Sequence, residues 1–129
     1  MTTTNVNVPL PSYPQPFGSK IVEIFDHYGP TSYVQYGSAV GDIINASDLS
    51  VGGFDFIGHA GWNSYSNSGN YIVQVMIAKA NDIPAGGPAS RVTIQWFTVS
   101  GGAFGTKSTE ATAATNLSAE YVRLEAIMV

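Results

Sequence analysis

Residues 119–129 carry the pattern that most restricts this chain: Val122, Leu124, Ala126 and Met128 alternate with Tyr121, Arg123 and Glu125. Successive side chains of an extended strand point to opposite sides, so a period of two puts the apolar set on one face and the charged set on the other. A helix would scatter both sets around its axis. The same alternation recurs in residues 70–79, where Tyr71, Val73, Val75 and Ile77 share one face and Ile72, Gln74 and Met76 the other. It recurs again in residues 91–99, where Val92, Ile94 and Trp96 oppose Thr93, Gln95 and Phe97. The two segments are joined by a Pro- and Gly-rich loop at residues 83–88 and read as a long-looped hairpin.

Shorter strands are expected at residues 21–28 and 33–36, and at 53–59, where Phe54 and Phe56 would share a face with Asp55 between them. Residues 107–114 are Thr- and Ala-rich and only weakly strand-like. Asn45-Ala46-Ser47-Asp48-Leu49 reads as a helical turn capped by Asn45 or Ser47, and Asn116-Leu117-Ser118 as a second capped turn. No segment shows helical periodicity over several turns. The expected fold is therefore all-β: a compact antiparallel sandwich or barrel of about six to eight short strands spanning residues 20–129.

Residues 1–19 stand apart. They contain no charge and hold four of the seven prolines, Pro9, Pro11, Pro14 and Pro16. Proline fixes φ and removes a donor, so the segment is expected to be an extended arm. Val6, Val8, Leu10, Tyr13 and Phe17 give that arm apolar teeth. A strip of this kind can lie along a neighbouring subunit, and these five are the candidate partner-binding residues.

Charge is low. Asp, Glu, Lys and Arg are 11% of the 129 residues, against about 25% in ordinary soluble domains. Charge normally keeps surfaces apart, so a sparsely charged surface suits a protein covered in an assembly. The five cations (Lys20, Lys79, Arg91, Lys107 and Arg123) are scattered and the net charge is -4, which argues against nucleic acid and against a polybasic membrane contact. No segment is apolar over the ~20 residues of a membrane helix, and a secretory leader is not expected. With no cysteine, disulfides, thiolate metal sites and a cysteine nucleophile are excluded.

Catalytic chemistry needs an acid, base or nucleophile with an orienting partner. Asp26 and His27 are adjacent on a strand, so they point to opposite faces and do not form a dyad with each other. The acids show no Asp-x-Asp and the histidines no His-x-His spacing, so no metal site is expected. Gly101-Gly102-Ala103-Phe104-Gly105 lacks the helix and Lys of a phosphate loop and reads as a turn. No catalytic residue and no cofactor are expected, and the chain is expected not to be an enzyme. His59, Trp62 and Tyr65 form a candidate ligand or contact loop, and Trp62, Tyr65, Tyr71 and Trp96 an alternative, sugar-stacking set.

Residues 111–127, from Ala111-Thr112-Ala113 through Asn116-Leu117-Ser118 to Arg123-Leu124-Glu125-Ala126-Ile127, resemble the ending of small structural proteins of tailed bacteriophages. Upstream, Ile94-Gln95-Trp96-Phe97-Thr98-Val99-Ser100 resembles their penultimate strand, and Asn45-Ala46-Ser47-Asp48-Leu49 with Phe54-Asp55-Phe56 resembles their capped turn and next strand. The proline-rich arm and the long loop at residues 82–90 depart from that pattern. The resemblance implies a non-catalytic head decoration (cement) protein, made in the host cytoplasm and carried on the capsid exterior of the virion. Its implied partner is the major capsid protein, bound across neighbouring subunits as a homo-oligomer, dimer or trimer. The alternatives are a tail or baseplate structural protein and a carbohydrate-binding β module.

Overall fold

The computed structural model describes residues 5–7, 15–36, 41–60, 65–76, 89–99 and 109–129, with residues 5–7 and 15–17 as backbone. The described residues form nine strands and one short 3-10 helix: β1 (Asn5–Asn7), β2 (Gln15–Phe17), β3 (Lys20–Tyr28), β4 (Asp42–Asn45), the helix (Ala46–Leu49), β5 (Phe54–His59), β6 (Tyr71–Met76), β7 (Arg91–Thr98), β8 (Thr109–Glu110) and β9 (Tyr121–Met128). They make two antiparallel sheets, and the fold is the expected all-β sandwich.

The first sheet runs β3-β9-β5, with β1 and β2 both paired to β3. Because β9 takes one side of β3 along residues 21–28, β1 (opposite Asp26 to Tyr28) and β2 (opposite Lys20 to Val22) share its other side. Two pieces of the proline-rich segment therefore line an edge of this chain's own sheet. Proline is tolerated there because an edge strand can do without some of its donors. Val6 pairs with His27 and Phe17 with Lys20. Val8, Leu10 and Tyr13 lie outside the described residues.

The second sheet runs β4-β7-β6, with β8 beside β4 on the same side of β7. β6 and β7 form the expected hairpin, registered from Tyr71 opposite Thr98 to Met76 opposite Thr93. The loop at 83–88 and Ile77 fall outside the described residues.

Alternation delivers the core. Val122, Leu124, Ala126 and Met128 of β9 are each no more than 1% exposed, and Val92, Ile94 and Trp96 of β7 are fully buried. Phe25, Tyr33, Ile44, Phe54, Val73 and Leu117 close around them. Two seams join the sheets. At one, Phe54 of β5 and Ala89, just before β7, exchange backbone hydrogen bonds of 2.8 and 3.1 Å. At the other, residues 29–33 pair with 114–120, Tyr33 N donating to Thr115 O at 2.9 Å and Leu117 N to Pro30 O at 2.8 Å.

Three local readings change in the structure. Phe54 and Phe56 do not share a face: a bulge at Asp55 puts Phe54 opposite Met128 and Phe56 opposite Ile127. The extra residue reverses the alternation, so Phe54 is 1% exposed and Phe56 47%. Residues 33–36 form no strand of either sheet, and their polar groups bond instead to the segment around Glu110 and Ala111. β4 was not expected, because four residues are too few to display a period. The turn at Ala46–Leu49 is a 3-10 helix with Asn45 as its N-cap, and Asp48 Oδ2 accepts from Asn45 N at 3.3 Å.

The second seam has a steric requirement. A Cβ at Gly29 would lie 2.4 Å from Leu117 Cβ and 2.6 Å from Leu117 O. Neither atom belongs to a flexible side-chain end, so the two backbones must part to admit it. Gly29→Ala is expected to lower stability by roughly 1–3 kcal/mol, measured by urea denaturation. An unchanged midpoint would show that this approach is not needed.

Candidate functional site

The most unusual chemistry lies between the sheets. His27 extends inward from β3, where it is paired with Val122. Asp42 extends inward from the start of β4, opposite Ile94. His27 Nε2 and Asp42 Oδ2 are 2.5 Å apart, and both side chains are 0% exposed. The Trp96 indole Nε1 donates to the same Oδ2 at 3.1 Å. One carboxylate oxygen thus ties three strands from both sheets.

Trp96 continues the network on its main chain. Its backbone N donates to the Tyr33 hydroxyl at 3.1 Å, and that hydroxyl donates to Glu110 Oε2 at 2.7 Å. The Tyr36 N–H donates to the same Glu110 oxygen at 2.7 Å. Burial, then the hydrogen bond to the Glu110 carboxylate, raises the Tyr33 phenol well above its ordinary range, so it stays protonated and serves as a donor.

A His–Asp pair is the orienting half of many general bases. Here it is closed on all sides. His27 Nδ1, the nitrogen that would have to act on a substrate, has no hydrogen-bond partner, and neither does Asp42 Oδ1, among the described residues. With both side chains sealed, this pair acts as a tie between sheets. Among the described residues no group of three or more His, Asp or Glu side chains could hold a metal ion.

The outer face of the first sheet is the other concentration of functional groups. Reading across β3, β9 and β5, the register forms rows: Val22 with Ile127 and Phe56, Ile24 with Glu125 and Gly58, Asp26 with Arg123, and Tyr28 with Tyr121. Ile24 is 46% exposed and Phe56 47%. A Cβ at Gly58 would lie 2.8 Å from the tip of the Phe56 ring, so that ring lies over Gly58 and beside the Glu125 row. Tyr28 and Tyr121 pack with centroids 5.1 Å apart. Asp26 takes a two-pronged bond from Arg123, Nε to Oδ1 at 2.8 Å and Nη2 to Oδ2 at 3.2 Å. That bond holds the guanidinium firmly protonated. Lys20 reaches Asp55 across β9.

The structure separates the residues of the candidate ligand loop. His59 ends β5, exposed and opposite Leu124. Tyr65 is 46% exposed and bridges Ile72. Trp62 lies outside the described residues, as does the glycine-rich turn at 101–105. Among the described residues no hydrogen bond or ring contact joins His59 to Tyr65. The polar residues after Tyr65 hold the loop in place: Ser66 and Ser68 donate to Glu120 Oε1 at 2.7 and 2.6 Å, and Asn67 Oδ1 accepts from Tyr121 N at 2.8 Å. Trp96 is 0% exposed with Tyr71 set edge-on at 6.2 Å, so it cannot stack on a sugar.

Asp42 is the residue that sequence reasoning missed. Its signal was present: in a chain with nine acids, one stands directly before Ile43-Ile44. An acid abutting aliphatic residues is either a turn residue or a buried, paired one. Its partner is 15 positions away, beyond any local rule.

Removing one member of a buried pair leaves the other uncompensated, at a cost of about 3–5 kcal/mol. Asp42→Ala is expected to destabilise the fold on that scale. Adding His27→Leu should recover part of the loss, because the stranded imidazole disappears. Chemical denaturation of the two single variants and the double variant measures the coupling, and purely additive losses would show that the tie is not a unit.

No described protein family, curated protein or solved structure matches this chain.

Proposed function

We propose that this chain is a non-catalytic structural protein of a virion, of the head-decoration (cement) type, binding across neighbouring major capsid protein subunits on the outside of the shell. The observation that carries this reading is the outer face of the five-stranded sheet. Ile24 and Phe56 are each nearly half exposed there, in a chain with only 11% charged residues. Contiguous exposed apolar surface on a small domain marks a protein contact. Obligate contacts are also poorer in charge than free surface.

The ionisable groups support the same reading. Asp26 with Arg123, Lys20 with Asp55, His27 with Asp42, and Glu110 with Tyr33 are all engaged in holding strands together. A rigid sandwich that adds interface area without chemistry is what a shell strained by packaged DNA can use. The pattern of residues 111–127 supplies the viral part of the proposal.

Immunogold labelling of particles from cells producing the virus tests it. Label on the head surface is the expected result. Label confined to the tail would overturn the cement assignment in favour of a tail component, and particles free of label would overturn the virion assignment altogether.

A further inference from the structure

The rows on the outer face have an order that matters when two sheets meet. Along β9 the outward residues run Tyr121, Arg123, Glu125, Ile127, and beside them on β3 run Tyr28, Asp26, Ile24, Val22. Aromatic residues lie at one end and aliphatic residues at the other, with a cation and an anion between them. Glu125 has no hydrogen-bond or ion partner among the described residues, although Arg123 stands two positions away on the same face.

Two such faces can pack through an in-plane twofold axis in two ways. An axis along the strands sets each row on its own copy, placing Arg123 against Arg123 and Glu125 against Glu125. An axis across the strands, level with Leu124, reverses the rows. Arg123 then meets Glu125, Tyr121 meets Ile127 and Tyr28 meets Val22. Only the second arrangement pairs unlike charges along β9, and it sets aromatic residues on aliphatic ones; on β3 it brings Asp26, already bonded to Arg123, onto Ile24. Packed sheets cross at about -30°, so the match is needed chiefly in the central rows, where the charges lie. A guanidinium carries several N–H donors in a rigid fork, so Arg123 can hold Asp26 within its own sheet while facing a second carboxylate.

We propose that the outer face of the five-stranded sheet is a twofold interface between two copies of this chain, with Arg123 of each copy opposite the partner's Glu125. This rests on the reading above in one respect, that the face is a protein contact; with a second copy on it, the capsid subunits are met by the rest of the dimer's surface. It names the occupant as a second copy. The isologous geometry makes each charge pair occur twice.

The reciprocity gives a specific experiment. Sedimentation velocity across a dilution series of the full chain should show a monomer–dimer equilibrium. Glu125→Lys sets cation against cation twice and Arg123→Glu sets anion against anion twice, so each alone should weaken its homodimer by about tenfold or more. Mixed in equal amounts, the two variants regain both pairs (Arg123 with Glu125, Lys at 125 with Glu at 123), and native mass spectrometry should show the heterodimer in excess over either homodimer. Circular dichroism melts check that each variant folds. Arg123→Glu also faces Asp26 within its own chain. If it does not fold, Ile24→Asp replaces it and must by itself weaken the dimer by a comparable factor. A wild-type chain that stays monomeric throughout, or a Glu125→Lys dimer as tight as wild type, would overturn the interface. Either result leaves the particle labelling untouched. A dimer in solution with no label on particles would instead retain the interface and remove the viral reading.

Discussion

The two faces of β9 place conflicting demands on one short segment, and the rest of the structure follows from how they are met. On one face Val122, Leu124, Ala126 and Met128 must be dry, which requires a second sheet. On the other, Tyr121, Arg123, Glu125 and Ile127 stay half-buried between β3 and β5. Residues of this kind on an outer face are neither fully solvated nor packed. Sheet spacing and alternation thus fix both the core and the surface that the functional proposal uses.

The interior carries its own constraint. A core of Phe25, Ile44, Phe54, Ile94 and Leu117 would pack without polar groups. Instead it contains His27, Asp42 and the indole N–H of Trp96 converging on one oxygen. Such an arrangement is directional where apolar packing is not. It specifies that β3 meets β4 and β7 at one place and angle. The Tyr33–Glu110 bond does the same for the segment around β8. Of the nine acids, Asp42 and Glu110 are thereby engaged in alignment.

Much of this was legible in the sequence wherever a period could repeat. β9, β7 and β6 each run long enough for alternation to show: β9 matches it residue for residue from Val122 to Met128, and in β7 Val92, Ile94 and Trp96 are buried as read while Thr93 on the other face is buried as well. Legibility failed where one residue changes the count or a partner is distant. The bulge at Asp55 turned Phe56 outward, and no local composition marks a bulge there. β4 was too short to read. The sequence sets His27 beside Asp26 alone, whereas the residue that engages it is Asp42, brought close by the packing of the two sheets. The candidate loop at His59 and Tyr65 rests on residue type, but its Ser and Asn side chains pin the start of β9.

The central claim is that the outer face of the first sheet is covered in the assembled state. Hydroxyl-radical footprinting of the chain diluted to monomer and of the chain in its native assembly tests this residue by residue. Ile24, Phe56, Tyr28 and Tyr121 should lose reactivity on assembly, while Tyr65, equally exposed in the free chain but on the loop before β6, should keep it. Equal reactivity at Ile24 and Phe56 in both states would contradict the account.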